Sequence, residues 1–279
     1  MTSALAITFH GITKENTSAR VAARNSSIHF AAQRYAVDET KLVLTLSLLK
    51  PSQTCTVCEF HKIVGGDWRI LTFDDGLVSD YELVLPALVK RGFRATFFVN
   101  SDTIGKKGYC SQSQLREMIQ SGMEIGSHGR THGYLVTLPA SEATKEIEQS
   151  KNALEDLLGT EVTSFAPVGG HFRNWMTVFA NRAGYKAFAT MIPGRTVVRQ
   201  MGLLLLRRNH IQTAHSEDYI RRIIAAKSGT LAGIRCRYLV LYAARRVLGM
   251  GTYDLMKAKL LGTPLESQRT GRDFYRSSL

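Results

Sequence analysis

Ile70-Leu71-Thr72-Phe73-Asp74-Asp75-Gly76 is an apolar strand signal that runs straight into two adjacent carboxylates and a turn glycine. Working outward from it, short apolar runs alternate with segments of helical periodicity. Arg69 to Phe73, Ala95 to Val99, Met123 to Ser127, Val162 to Ala166, Lys186 to Thr190 and Leu203 to Leu206 read as strands. Ser79 to Arg91, Gln112 to Gln120, Ala140 to Leu158 and Trp175 to Ala183 read as helices, the first three ended by Gly92, Gly122 and Gly159. Another helix is expected from its N-cap Ser216 toward Lys227. Strand–helix alternation at this spacing predicts an α/β fold, either a parallel sheet or an α/β barrel. In such folds chemistry sits at the carboxyl ends of the strands. Asp74, Asp75, His128 and Pro167 all fall there.

Toward the N-terminus, Leu5 to Phe9 reads as a buried strand ending at His10-Gly11, followed by a polar, irregular excursion over residues 12–37. Leu42 to Leu49 suits a strand by composition, while Asp38 could cap a helix running to Lys50. Toward the C-terminus, Leu231 to Leu261 reads as helical, with Arg235, Arg237, Arg245 and Arg246 set among apolar residues. Such a helix either lies on an anionic membrane surface or packs on the core with its arginines in water.

With 279 residues the chain has room for one large domain or two small ones, and its hydrophobic fraction of 44% supports a real core. No stretch approaches the roughly 20 uncharged apolar residues of a membrane span. Met1 to Phe9 lacks a basic start with a long apolar run, so the expected compartment is the cytoplasm, with peripheral attachment at the inner membrane surface as a further expectation. The net charge of +13 is uneven: residues 1–172 carry 17 Lys and Arg against 18 Asp and Glu, and residues 173–279 carry 19 against 5. The basic part favours anionic partners, or is a solvated face. Nucleic acid ranks low, because no nucleic-acid motif accompanies the charge. Cys55, Cys58 and His61 are at most a fragment of a zinc site, with no second C-x2-C pair to complete it; free thiols are expected.

Fifty-odd residues after the Asp pair comes His128-Gly129-Arg130-Thr131-His132. Alone, Asp-Asp-Gly is a turn signal, and two histidines four apart are commonly surface residues. Together, two imidazoles and a carboxylate form a facial ligand set for a hydrolytic divalent metal, with positions left for water. A second carboxylate beside them can take a proton from that water.

These motifs resemble those of the polysaccharide deacetylase family, carbohydrate esterase family four. The resemblance spans residues 68–212, with an echo in Thr8-Phe9-His10-Gly11-Ile12. It implies a distorted (β/α) barrel, to which the basic helical reading of the C-terminal residues adds an extension. It would make Asp74 the catalytic base and Asp75, His128 and His132 the ligands of a divalent metal, Zn2+ first, with Co2+ or Mn2+ as substitutes. The family's Arg-x-Pro-aromatic-Gly motif appears as Phe165-Ala166-Pro167-Val168-Gly169, so the Arg that orients the base is replaced by Phe165. The N–H of Val168 could still serve an oxyanion. Gly129 and Gly133 also depart from the second motif, and no Asp-Trp pair of the fourth is found. His210, after Leu203 to Leu206, is the expected general acid, with His215 as rival; relatives lacking that His often carry Arg near this point, which fits Arg208. His171 and His10 are candidates to line the pocket.

The expected organisation is a strand and irregular lead-in over 1–67, a deacetylase-like core over 68–228 and the basic extension over 229–279. The expected reaction is metal-dependent removal of an acetyl group from an N-acetylated sugar in a polysaccharide, an oligosaccharide or a lipid-linked precursor. Hydrolysis of a cyclic amide or ureide, and a non-catalytic glycan- or membrane-binding relative, are the alternatives.

Overall fold

The computed structural model describes residues 2–14, 35–170, 172–195, 197–200, 202–248 and 252. Its strands in chain order are β1 (Ser3–His10), β2 (Ile12–Thr13), β3 (Val37–Asp38), β4 (Asp67–Asp75), β5 (Thr96–Val99), β6 (Glu124–Ser127), β7 (Ser164–Phe165), β8 (Ala187–Thr190), β9 (Val197–Gln200) and β10 (Leu203–His210). Seven of them, in the order β1-β4-β5-β6-β7-β8-β10, run parallel and close into a barrel where β10 returns to β1. Closure rests on the pairs Ala6↔Arg208, Ile7↔Asn209 and Thr8↔His210. The first half of β10 instead pairs antiparallel with β9, a strand with no counterpart in the sequence reading. β10 also runs on beyond Leu206 to His210, and β7 is shorter than expected.

Strand periodicity sorts the staves into two faces. Ala4, Ala6, Ile70, Phe98, Ala166, Ala187, Ala189, Leu204 and Leu206 form the inner cluster. Leu5, Ile7, Phe9, Leu71, Phe73, Phe97, Phe165 and Phe188 belong to the outer cluster, which the helices cover. Burial on both faces is why these strands read as continuous apolar runs rather than alternating ones. Period two carries the inner face upward from Ala6 to Thr8 and His10, from Ile70 to Thr72 and Asp74, and from Leu206 to Arg208 and His210.

The helices are α1 (Glu39–Ser47), α2 (Val57–Lys62), α3 (Leu85–Val89), α4 (Gln112–Gln120), α5 (Ala140–Leu158), α6 (Asn174–Arg182), α7 (Glu217–Ile224) and α8 (Ser228–Leu248). The open choice over Leu42 to Leu49 resolves to helix: Asp38 caps α1 by accepting the Thr40 N–H at 2.8 Å. The helix expected over Ser79 to Arg91 begins with a π-helical segment at Asp80–Val84 before α3. α5 ends at Gly159, whose φ of 70° is the left-handed conformation that stops a helix.

α2 plugs the floor of the barrel. Val57 and Phe60 pack into the inner cluster, and the Val57 N–H donates to Thr96 Oγ1 at 3.0 Å. Cys55 precedes this plug and Cys58 lies in its first turn, at the end of the barrel away from Asp74, and all four cysteines are free thiols. Burial pushes the Cys55 thiol up to about 12. Asp75, His128 and His132 are the one metal-capable cluster among the described residues, so Cys55 and Cys58 do not extend into a zinc site there. No helix of the described residues is long and apolar enough to cross a membrane. Of the expected helix beyond Leu248 only residue 252 is described, and His171 lies outside the described residues.

Candidate active site

Asp74 and Asp75 end β4, and the backbone separates their tasks. Strand alternation would send successive side chains to opposite faces. Asp75 instead adopts φ 83° and Gly76 φ 69°, so the chain turns sharply out of the barrel and the Asp75 carboxylate swings back over the mouth. A left-handed non-glycine residue is strained, and such strain concentrates at functional sites. Gly76 is required twice over, since a Cβ there would lie 2.9 Å from Val99 Cγ1.

His128 follows β6 directly. Its ring is fixed by Nδ1, 2.7 Å from the Ala166 carbonyl. A carbonyl can only accept, so Nδ1 carries a proton, and Nε2 is the nitrogen left to face Asp75. The Asn100 side chain donates to the His128 carbonyl at 2.7 Å. The following loop brings back His132 at φ 62°. Glu146 of α5 holds that loop, accepting the Arg130 N–H at 2.8 Å, the Thr131 N–H at 3.0 Å and the Thr131 hydroxyl at 2.6 Å. Only the fold exposes this role: in sequence, Glu146 is one acid among several on an amphipathic helix.

Asp75 Oδ1 lies 3.4 Å from His128 Nε2 and 3.0 Å from His132 Nε2. One ligand atom from each of the three residues lies within 4.8 Å of the others. Asp75 Oδ2 is buried without a hydrogen-bond partner. An orphaned buried carboxylate oxygen beside two convergent imidazoles suits a small divalent cation. Burial pushes the Asp75 carboxyl up, but hydrogen bonds from His128 and His132 outweigh it and hold it well below the usual carboxylate range. Burial pulls the His128 imidazole down, but Asp75 and Asp74 outweigh it and raise it. A cation bound among these groups would replace the protons that this charge pattern attracts.

Asp74 is 1% exposed and gripped by Arg208, which is also 1% exposed. Arg208 Nη1 donates to Oδ1 at 2.6 Å and Nη2 to Oδ2 at 3.0 Å, a bidentate pair. The guanidinium also donates to Thr72 Oγ1 and the Thr190 carbonyl, both at 3.3 Å, and lies 5.2 Å from the Phe98 ring centroid. Burial pushes the Asp74 carboxyl up; Arg208, then His128 and His10, outweigh it and leave it lowered. The Arg missing at Phe165 is thus replaced in space by Arg208 from a different strand. Phe165 itself is a fully buried outer-face residue whose ring packs at a tilt against Phe188.

The remaining candidates separate. Val168 opens a tight turn, Val168–Gly170, above β7 and is buried. Gly170 in that turn admits no side chain, since a Cβ would meet Met191 Cγ at 2.2 Å. His10 comes to Asp74, with Nε2 3.5 Å from Oδ2. His210 packs against His10 with ring centroids 4.5 Å apart and planes tilted by 53°, and no described contact joins it to Asp74. His215 faces away: its Nδ1 accepts the Gln212 N–H at 3.2 Å and its ring packs 4.5 Å from Tyr219.

With this geometry in place, residues 64–188 match the family profile described as polysaccharide deacetylase. Over that stretch the chain resembles the polysaccharide deacetylase family. It is similar to the Bacillus subtilis protein YxkH, which is named after the same family, with 28% identity over 75% of this chain and 71% of that protein. It is also similar to a chitin deacetylase of Pestalotiopsis, 37% identical over 35% of this chain and 32% of the relative. In fold it resembles the Streptococcus pyogenes deacetylase PplD, solved in complex with acetate, at a TM-score of 0.67 and 22% identity, covering 80% of this chain and 98% of that one.

Proposed function

We propose that the protein is a metal-dependent deacetylase of an N-acetylated glycan or glycan precursor. The observation that carries this reading is the convergence of Asp75, His128 and His132 beside an Arg208-gripped Asp74. The three ligands would hold a divalent cation, Zn2+ first, which when bound polarises the acetyl carbonyl and lowers the pKa of a neighbouring water.

The chain's own residues supply the rest. Asp74 stays ionised because Arg208 outweighs its burial, so it can accept a proton from the attacking water. The Asp74 carboxylate cannot swivel, because both oxygens are engaged by one planar guanidinium. The Val168 N–H would donate to the developing oxyanion, a role that needs no side chain. The leaving nitrogen requires a proton, and the mouth holds an imidazole pair, His10 and His210, to supply it. Arg208 supports the enzyme reading over a non-catalytic relative, because it sets a guanidinium against Asp74 where the third motif lacks its arginine.

The substrate would carry its sugar on phosphate or lipid. α8 contains no acidic residue over 228–248, and it exposes Leu239, Val240 and Val247 by 51%, 63% and 83%. A basic helix with exposed apolar side chains suits an anionic membrane surface.

The test is metal content of the purified protein together with acetate release from N-acetylglucosamine oligomers after Zn2+ or Co2+ is supplied. One metal per chain with acetate release, both lost in Asp75→Ala and His132→Ala, is expected. Normal turnover in either variant would sink the assignment.

A further inference from the structure

Arg207 and Arg208 are consecutive on β10, and the pleat sends them to opposite faces. Arg208 enters the barrel and meets Asp74. Arg207 takes the outer wall, where the turn between β8 and β9 and the helix α8 come up to it. A Cβ placed on Gly194 of that turn would lie 3.6 Å from Arg207 Nη1 and 3.8 Å from Arg235 Nη1 of α8, so the two guanidinium tips share one small space. The turn that borders this space is fixed. Gly194 has φ 138°, which favours glycine, and buried Asn209 accepts its N–H at 3.1 Å and donates to its carbonyl at 2.9 Å.

Both arginines are half-buried, and among the described residues no acid pairs with either. The neighbouring acids are engaged elsewhere. Asp67 holds Arg69 and Arg195, while Glu217 and Asp218 of α7 pair with Arg221 and Arg222 of the same helix. α8 has no acid over 228–248. Burial, and then the charge of Arg235, lower the Arg207 guanidinium, yet an arginine stays charged at neutral pH. Two guanidiniums held side by side without a carboxylate are complementary to an anion with several oxygens, and their planar forks match phosphate. One helical turn beyond Arg235, on the same side of α8, Leu239 is exposed, with Val240 exposed next to it. Cationic groups beside exposed apolar side chains match a lipid where its headgroup meets its chains.

We propose that Arg207 and Arg235 form a binding site for the phosphate of an anionic membrane lipid. The proposal rests on the membrane-surface reading of α8 given above, and adds which two residues hold the headgroup. The site lies on the face of β10 opposite to Asp74, so it anchors the chain without entering the barrel mouth.

Two measurements on the full chain test it. Co-sedimentation with phosphatidylcholine vesicles, with and without phosphatidic acid, reads lipid binding. Thermal unfolding in inorganic pyrophosphate, against sodium chloride at equal ionic strength, reads a free phosphate. Arg207→Met and Arg235→Met should each lower affinity for the phosphatidic acid vesicles about ten- to hundredfold. Arg237→Met removes an α8 charge that acts on His215 and Tyr219 instead. It should lower the affinity only about fivefold, as any basic residue near an anionic surface does. Without lipid, Arg207→Met and Arg235→Met should unfold at or above the parent's temperature, since each removes a repulsion. Acetate release from a soluble N-acetylglucosamine oligomer should match the parent's, because neither arginine touches Asp74 or the candidate metal ligands. Equal losses of vesicle binding in all three variants would overturn the site and leave only a diffusely basic helix. A fall in unfolding temperature in both Arg207→Met and Arg235→Met, with vesicle binding kept, would overturn it as well. Pyrophosphate stabilisation that needs both arginines, with vesicle binding unchanged in the variants, would overturn the lipid and assign a free phosphate. A parent protein that ignores phosphatidic acid would instead remove the membrane-surface reading of α8, and this proposal with it.

Discussion

Arg208→Met removes the guanidinium that grips Asp74 while leaving an apolar side chain of similar length. In the parent, both partners are essentially inaccessible and joined through two short hydrogen bonds. Solvent screening is therefore slight, and the variant leaves a buried carboxylate without its counter-ion. Removing one partner of such a pair costs about 3–5 kcal/mol. For a domain of this size, about 2–4 °C per kcal/mol translates that into a fall in Tm of roughly 6–20 °C. Removing the orphaned charge as well, in Arg208→Met/Asp74→Leu, should recover much of the loss, since an apolar pair of similar volume is often as stable as the ion pair. The assay is a double-mutant cycle of thermal unfolding on metal-free protein, with acetate release measured alongside on the loaded enzyme. A Tm within 2 °C of the parent, or effects of the two substitutions that add within about 0.5 kcal/mol, would refute the claim that Arg208 and Asp74 act as one unit.

Asp80 is fully buried, with Oδ2 accepting the Leu77 N–H at 3.1 Å and Oδ1 unpartnered. Burial first, then the Asp75 charge, push its carboxyl well above the ordinary range, against the Leu77 hydrogen bond. With a raised folded value, the carboxyl's cost is absent below the unfolded pKa and grows as pH rises through the folded one. Asp80→Asn should therefore raise Tm at neutral pH, with the gain shrinking in acid; a gain that is constant from pH 4 to 8 would contradict this. A Cβ at Gly126 would meet Ser164 Oγ at 2.5 Å and Phe98 Cδ1 at 2.7 Å, so Gly126→Ala should destabilise by about 1–3 kcal/mol, and an unchanged denaturant midpoint would count against the packing described. Co-sedimentation with phosphatidylglycerol vesicles, falling with salt and in Val240→Glu, is expected of α8; equal binding to phosphatidylcholine would remove the anionic-surface reading.

Much of this molecule is legible in its residue order. Apolar runs of strand length separated by amphipathic helices dictate parallel staves covered by helices, because a strand buried on both faces has no polar side to show. Asp74-Asp75-Gly76 and His128-x3-His132 place ligand chemistry at strand ends, since their neighbours in sequence are the strands themselves. The bend of Asp75 away from Asp74 is also nearly local, because Gly76 makes the turn. Asp38 and Ser216 announce their helices for the same reason: a cap is satisfied within three residues.

The partners of Asp74 are another matter. Arg208 lies 134 residues from it and His10 lies 64 residues away. Nothing near Arg208 in sequence distinguishes it from Arg207, and only the pleat decides which of the two points into the barrel. Likewise, β1 and β10 become neighbours only when the barrel closes, so the ranking of His10 over His210 depends on a register that no local pattern encodes. Glu146 and the Asn100 side chain, which hold the histidine loop, are ordinary polar residues until the helix and strand that bear them pack. The sequence determined the layers, the caps and the candidate ligand set, through contacts among near neighbours. The tertiary structure alone decided what surrounds the Asp74 carboxylate, because in a closed barrel the inner-face residues that meet at the mouth come from opposite ends of the chain.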